Sequence, residues 1–151
     1  MAAGSGLTAT ADASLTRTIV GVTSGAYSTP ANNYVALYTN NMTASTKSPT
    51  TGVEWLASSD TNYARQAMGA TGTGWTIAAY ANGTGVVWNN SNTITQPAVA
   101  GTLQTLGSVG FCDALTAGNV DFFADLSTPV SVAVGVQVIL SATTGAVFTT
   151  Y

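Results

Sequence analysis

Residues 34–39 read Tyr-Val-Ala-Leu-Tyr-Thr, YVALYT. In an extended chain successive side chains point to opposite faces, so Tyr34, Ala36 and Tyr38 share one side and Val35, Leu37 and Thr39 the other. That alternation predicts a strand, and the same pattern recurs along the chain. Candidate strands follow at YARQAM (63–68), WTIAAY (75–80), VVWN (86–89), TIT (93–95) and TLQTLGSVGFC (102–112). Others lie at VDFFADL (120–126), SVAV (131–134), VQVILSA (136–142) and AVFTT (146–150). Gly, Asn and Pro separate them, and Asn82-Gly83 is a strong hairpin signal between 75–80 and 86–89. The expectation is an all-β fold: a single β-sandwich or barrel-like domain over 21–151.

Upstream the spacing changes. Leu7, Ala11, Leu15 and Ile19 recur every fourth residue, with Asp12, Thr16 and Arg17 between them. That predicts a short helix over 7–20 within an N-terminal arm, residues 1–20, with a Thr cap at its start and an extended arm before it as the alternative. Gly21, Gly25 and Pro30 end it. Between the first two strands, NNMTASTKSPTTG (40–52) reads as a polar loop, followed by a short element around Glu54, Trp55 and Leu56 and a turn at SSDTN (58–62).

The composition is short of charge. Of 151 residues 46% are apolar but only 6% are charged, and the net charge is −3. Thr, Ser, Asn and Gly stand where ordinary domains carry Lys and Glu, so the surface has little electrostatic protection against close contact with neighbours. This favours assembly. Arg17, Lys47 and Arg65 are scattered, so there is no basic patch to follow a nucleic-acid backbone. No apolar run approaches the ~20 residues of a membrane span, and the first fifteen residues do not read as a signal peptide.

Catalytic constellations are equally scarce. The chain has no histidine, which excludes Ser-His-Asp and Cys-His mechanisms and the usual zinc site. Asp121 and Asp125 fall on one strand face about 13 Å apart at ~3.3 Å per residue, too far for a glycosidase pair. Asp113 and Asp121 flank a turn and could face each other across a hairpin, but no spaced set of oxygen ligands surrounds them. GATGTG (69–74) lacks the lysine of a phosphate-binding loop. Cys112, alone and beside Phe111, reads as a buried thiol. Trp55, Trp75 and Trp88 sit in strand-like surroundings that suit a core better than a sugar platform. The expectation is a protein that is not an enzyme, with no catalytic residue, metal ligand or cofactor.

Taken together, YVALYTN (34–40), Glu54 and NYARQAM (62–68) resemble a family of small tailed-bacteriophage virion proteins. Its members run Tyr-Val-Ala-Leu, then a Glu, then Tyr-Ala-Arg-Gln, and later an aspartate turn and a Leu-Thr-x-Pro segment. Asp113 and LSTP (126–129) stand in those last two places. The resemblance covers most of the chain from about residue 7, and its members carry labels such as tail fibre or structural protein. It implies a virion component and, because Glu54 and Arg65 recur together in its motif, an internal structural clamp between them in which the planar guanidinium fork holds the carboxylate and a turn carbonyl, with an intersubunit contact through Arg65 as the alternative. The functional expectation is a capsid decoration protein that cements the head lattice, with a tail-tip or tail-fibre module binding a host receptor or glycan as the alternative. A secreted carbohydrate-binding module is a third, weaker reading. Expected partners are copies of itself, a trimer being favoured, and the major capsid protein or other virion proteins, with neither nucleic acid nor membrane. Leu7, Leu15, Arg17 and Ile19 of the arm are the expected interface.

Overall fold

The computed structural model describes residues 4–7, 32–42, 53–70, 74–79, 86–142 and 147–150. Among these residues every regular element is a strand: β1 (Gly4–Leu7), β2 (Asn32–Tyr38), β3 (Gln66–Ala70), β4 (Trp75–Ala79), β5 (Val86–Asn90), β6 (Ile94–Thr95), β7 (Gln104–Cys112), β8 (Val120–Val132), β9 (Ile139–Leu140) and β10 (Val147–Thr150). The main sheet is antiparallel and five-stranded, in the order β1-β8-β7-β2-β3. A second sheet has the order β10-β5-β4, and β6 pairs with β9. The fold is all-β.

The alternation in β2 divides the core. Val35 and Leu37 join one apolar cluster, Ala36 and Tyr38 another, and all four are buried. The division continues across the ladder: Phe111 opposite Val35 and Val109 opposite Leu37 join the first cluster. Cys112, opposite Tyr34, and Phe123 join the second. The main sheet is therefore buried on both faces. On the first face the cover is the β6–β9 ribbon, through Ile94 and Leu140, with Val99 and Val132 beside them. Gln96 N donates to Val138 O (2.9 Å) and Val99 N to Val136 O (3.0 Å), which prolongs the ribbon beyond its two-residue ladder. Burying one phenylalanine such as Phe111 or Phe123 contributes about 1.5–3 kcal/mol, so these two anchor opposite faces of one sheet. Asn90, fully buried at the end of β5, donates from Nδ2 to the carbonyls of Asn92 (2.9 Å) and Ser141 (2.9 Å) and so joins the second sheet to the segment after β9.

Tight packing explains one strand glycine. A Cβ on Gly110 would lie 2.6 Å from Cε2 of Tyr38, so the aromatic ring rests where a side chain would otherwise stand. Cys112 beside it is fully buried, and burial pushes its thiol up to about 12.

Several elements differ from the sequence reading. The two strands expected at 120–126 and 131–134 are one, β8, which runs through Pro129. It does so because the ladder loses register there: between Leu106↔Val130 and Ser108↔Asp125, β7 contributes one residue and β8 four, 126–129. Proline has no N–H to give to a ladder, and here none is needed. The strand expected at 136–142 contracts to Ile139–Leu140, and β3 begins at Gln66, leaving Tyr63–Arg65 irregular. Leu7, expected to open a helix, instead closes β1, paired with Phe122. The GSGL stretch pairs along the β8 edge and so satisfies backbone groups there. The rest of the expected helix, with Leu15, Arg17 and Ile19, lies outside the described residues, as does the Asn82-Gly83 turn.

Candidate functional site: the Glu54–Arg65 clamp and its cleft

The outer edge of β2 is shared by two segments. Its first half pairs with β3, from Asn32↔Ala70 to Val35↔Gln66. Its second half is met by 53–55: Thr39 N donates to Val53 O (2.8 Å), Trp55 N donates to Leu37 O (2.9 Å), and Glu54 bridges Tyr38. Asn40 Oδ1 accepts a further bond from Val53 N (2.7 Å). Between these segments the chain turns at 56–62. Asp60, buried to 1% exposure, accepts from Asn62 N (3.1 Å) and Ala100 N (3.0 Å), an Asx turn that ties the bend to the segment before β7. Glu54 and Arg65 thereby arrive side by side on one sheet edge.

Their contact is bidentate. Arg65 Nε donates to Glu54 Oε1 (2.8 Å) and Nη2 to Oε2 (2.7 Å). Nη1 donates to two carbonyls of the β7–β8 turn, Ala114 O (2.8 Å) and Ala117 O (2.6 Å). Tyr63 OH donates to Glu54 Oε1 (2.7 Å) and accepts from Leu37 N (3.2 Å), while its ring packs against Trp55 with centroids 6.0 Å apart. Trp55 is itself fixed by Nε1 donating to Thr105 O (2.8 Å). Arg65 thus joins three pieces distant in sequence: the 53–55 segment, the start of β3 and the β7–β8 turn.

The electrostatics follow from this geometry. Burial pushes the Glu54 carboxyl up, but the hydrogen bonds from Arg65 and Tyr63 outweigh it and hold the carboxyl below its ordinary value. Hydrogen bonding to Glu54 raises Arg65 further above its already high value. Burial, aided by the Glu54 bond, raises the Tyr63 phenol well above its ordinary value. All three groups therefore keep one protonation state near neutrality, as suits a fixed joint rather than a proton-transfer site.

The turn that Arg65 grips is shaped in advance. Asn119 N donates to Asp113 Oδ1 (2.7 Å) and Asn119 Nδ2 to Oδ2 (3.0 Å), closing a loop over 113–119. Ala117 (φ 54°) and Gly118 (φ 71°) both take left-handed backbone, costly for the alanine and held there by the bonds around it. Asp113 is thus engaged with Asn119 and does not face Asp121, which is buried at a bulge in β8 rather than standing solvated in the turn. Among the described residues no group of three or more His, Cys, Asp or Glu is placed to hold a metal ion. Between the turn and the 54–57 segment lies a cleft of ≈ 380 Å³, lined by Glu54, Trp55, Leu56, Ala57, Tyr63, Ala64, Arg65, Leu115, Thr116 and Ala117.

Sequence reasoning missed Tyr63 as a partner of Glu54, and it missed the shape of the 113–119 turn. A Tyr two residues before the Arg, on the same side of an extended segment, was the signal for the first. The Ala-Gly pair at 117–118 was a weaker one for the second.

An all-β domain whose acid–base pair is locked into its own framework has the character of a structural part. The chain matches the family model of the Podophage GP4 fiber I protein gp80 over residues 7–147 and belongs to that family. It is a phage structural protein and a component of the virion. A search of curated proteins finds no match.

Proposed function

We propose that this chain is a contact-making subunit of a virion projection, a fibre, and carries out no catalysis. The observation that carries the reading is the family match, whose description names a fibre protein and which spans nearly the whole chain. The clamp supports it: the one exactable acid–base pair in the described residues is consumed in holding three segments together. A mechanically rigid module that presents loops to neighbours needs such joints. In this reading the protein works as a homo-oligomer, a trimer being the favoured form, among other virion proteins.

A second reading, capsid decoration, is favoured by one observation. Of the charged side chains in the described residues, Glu54, Asp60, Arg65, Asp113, Asp121 and Asp125, none is more than partly exposed. A neutral surface suits dense packing on a lattice. Immunogold labelling of intact virions separates the two. Gold confined to projections at the tail supports the fibre reading; gold spread evenly over the head replaces it with decoration.

A further inference from the structure

We propose that β1 is an exchangeable strand: where copies of this chain assemble, the GSGL strand of one copy pairs with the β8 edge of a second, in the register it holds in the single chain. The proposal deepens the homo-oligomer part of the reading above and rests on it. β1 stands at the outer edge of the main sheet and meets one neighbour there, β8. Paired residues run from Gly4↔Asp125 to Leu7↔Phe122. The occupant of this stretch of β8 is thus a strand of this sequence, and every copy carries one.

The connection leaves the choice of copy free. Leu7, Phe122, Phe111 and Val35 stand in one row across β1, β8, β7 and β2. Leu7 is therefore about 14 Å from Val35 across the sheet, at ~4.8 Å per strand spacing, and Asn32 lies about 10 Å further along β2. Residues 8–31 join the two strands and can reach about 80 Å at ~3.3 Å per residue. Connections of such length are uncommon in compact domains, and those that occur commonly serve a function. A tether this long holds β1 beside its own β8 at an effective concentration in the mM range at most. Copies packed side by side in an assembly match that concentration, so a neighbour's edge competes with the chain's own.

The strand itself suits exchange. Its ladder bonds to β8 are made by backbone and are identical whichever copy supplies them, so the swap gives up no contact. Glycine at positions 4 and 6 makes β1 costly to order alone, and it takes strand form against an edge. An empty edge is in turn a template for any strand that comes near. β8 is held along its other side by β7, from Gln104↔Val132 to Cys112↔Val120, so the edge persists while β1 changes copies. Each copy gives one strand and takes one, and the exchange closes as a reciprocal pair or as a ring, a trimer included.

Cysteine pairs read the exchange in the full-length chain. Positions 5 and 124 are partners in the ladder, at a Cα separation of about 4.5–5.5 Å that a disulfide spans. Native Cys112 is fully buried and stays out of the reaction. The single variants Ser5→Cys and Ala124→Cys, co-expressed and then oxidised, should give a covalent dimer on a non-reducing denaturing gel, severalfold above either variant expressed alone. In the double variant, links between chains should outnumber links within one. Leu7→Cys with Phe122→Cys reads the same register should Ala124→Cys weaken the fold. Links confined to single chains, or no links from either pair, would overturn the proposal. Light scattering keeps the outcomes apart. An oligomer whose links are all intrachain loses the exchange and keeps the contact-making reading, whereas a chain monomeric at every concentration loses the homo-oligomer as well.

Discussion

The clamp corner and the β6–β9 ribbon solve opposite problems with opposite chemistry. At the corner, Glu54, Tyr63 and Arg65 are partly buried, and each polar atom of the pair meets a partner. In the ribbon there is no charge: the sequence from Gln66 to Cys112 and again beyond Asp125 lacks any charged residue. Its cohesion comes from Ile94, Val99 and Leu140 against the main sheet. One polar group there is ill-served. The side chain of Gln96 is 2% exposed, and neither its Nε2 nor its Oε1 has a hydrogen-bond partner among the described residues. Among the described residues the ion pair fixes segments to one another, and the ribbon is held by apolar contact without charge.

Removing the corner's cation should have the largest effect. Arg65→Ala leaves a half-buried carboxylate and two turn carbonyls unserved, and is expected to lower unfolding free energy by about 3 kcal/mol in denaturant melts. Arg65→Lys should lose nearly as much, since an ammonium cannot span both carboxylate oxygens and the turn. The double variant with Glu54→Gln should cost clearly less than the two single losses added. The pH dependence has a definite sign. The folded carboxyl of Glu54 titrates below its ordinary value of 4.5, so its contribution is present above that value and is lost as pH falls through the lower folded one. Glu54→Gln should flatten that part of the stability profile. Strict additivity would break the comparison by making the corner no joint at all.

Where the two regions meet, Gly101→Ala comes next. An added Cβ would strike the Ser59 carbonyl, which accepts from Thr102 N (3.0 Å), and backbone cannot step aside as a side chain can. About 2 kcal/mol of destabilisation is expected by thermal melt. In the ribbon the sign should reverse. Gln96→Met keeps the volume and removes an unserved amide, so it should stabilise by about 1 kcal/mol; a loss instead would mean the amide has a partner. The smallest effect belongs to Ile139→Thr on the ribbon's outer face, 56% exposed, expected within about 0.5 kcal/mol of wild type.

What the sequence disclosed follows the range of the interactions. The two faces of β2 were legible in YVALYT because alternation is local. The length of β8 was not, because Pro129 reads as a break until one knows that the neighbouring strand asks nothing of it. The corner was half legible. The resemblance brought Glu54 and Arg65 together, whereas spacing alone did not, and the carbonyls of Ala114 and Ala117 carry no side-chain signature at all. The arm divides likewise: a four-residue period suggested a helix from Leu7, yet GSGL meets β8 in a pairing with a strand more than 110 residues away, which no local pattern encodes.

The four-against-one mismatch between β8 and β7 has a practical consequence. Residues 127–131 are exposed, and 126–129 lie outside the register on either side, so extra residues between Ser127 and Thr128 would displace neither Asp125 from Ser108 nor Val130 from Leu106. A short epitope or affinity peptide placed there would be displayed from the middle of a long strand while the ladders flanking it kept their pairing. That makes the stretch between Leu126 and Pro129 a natural point of insertion in this chain.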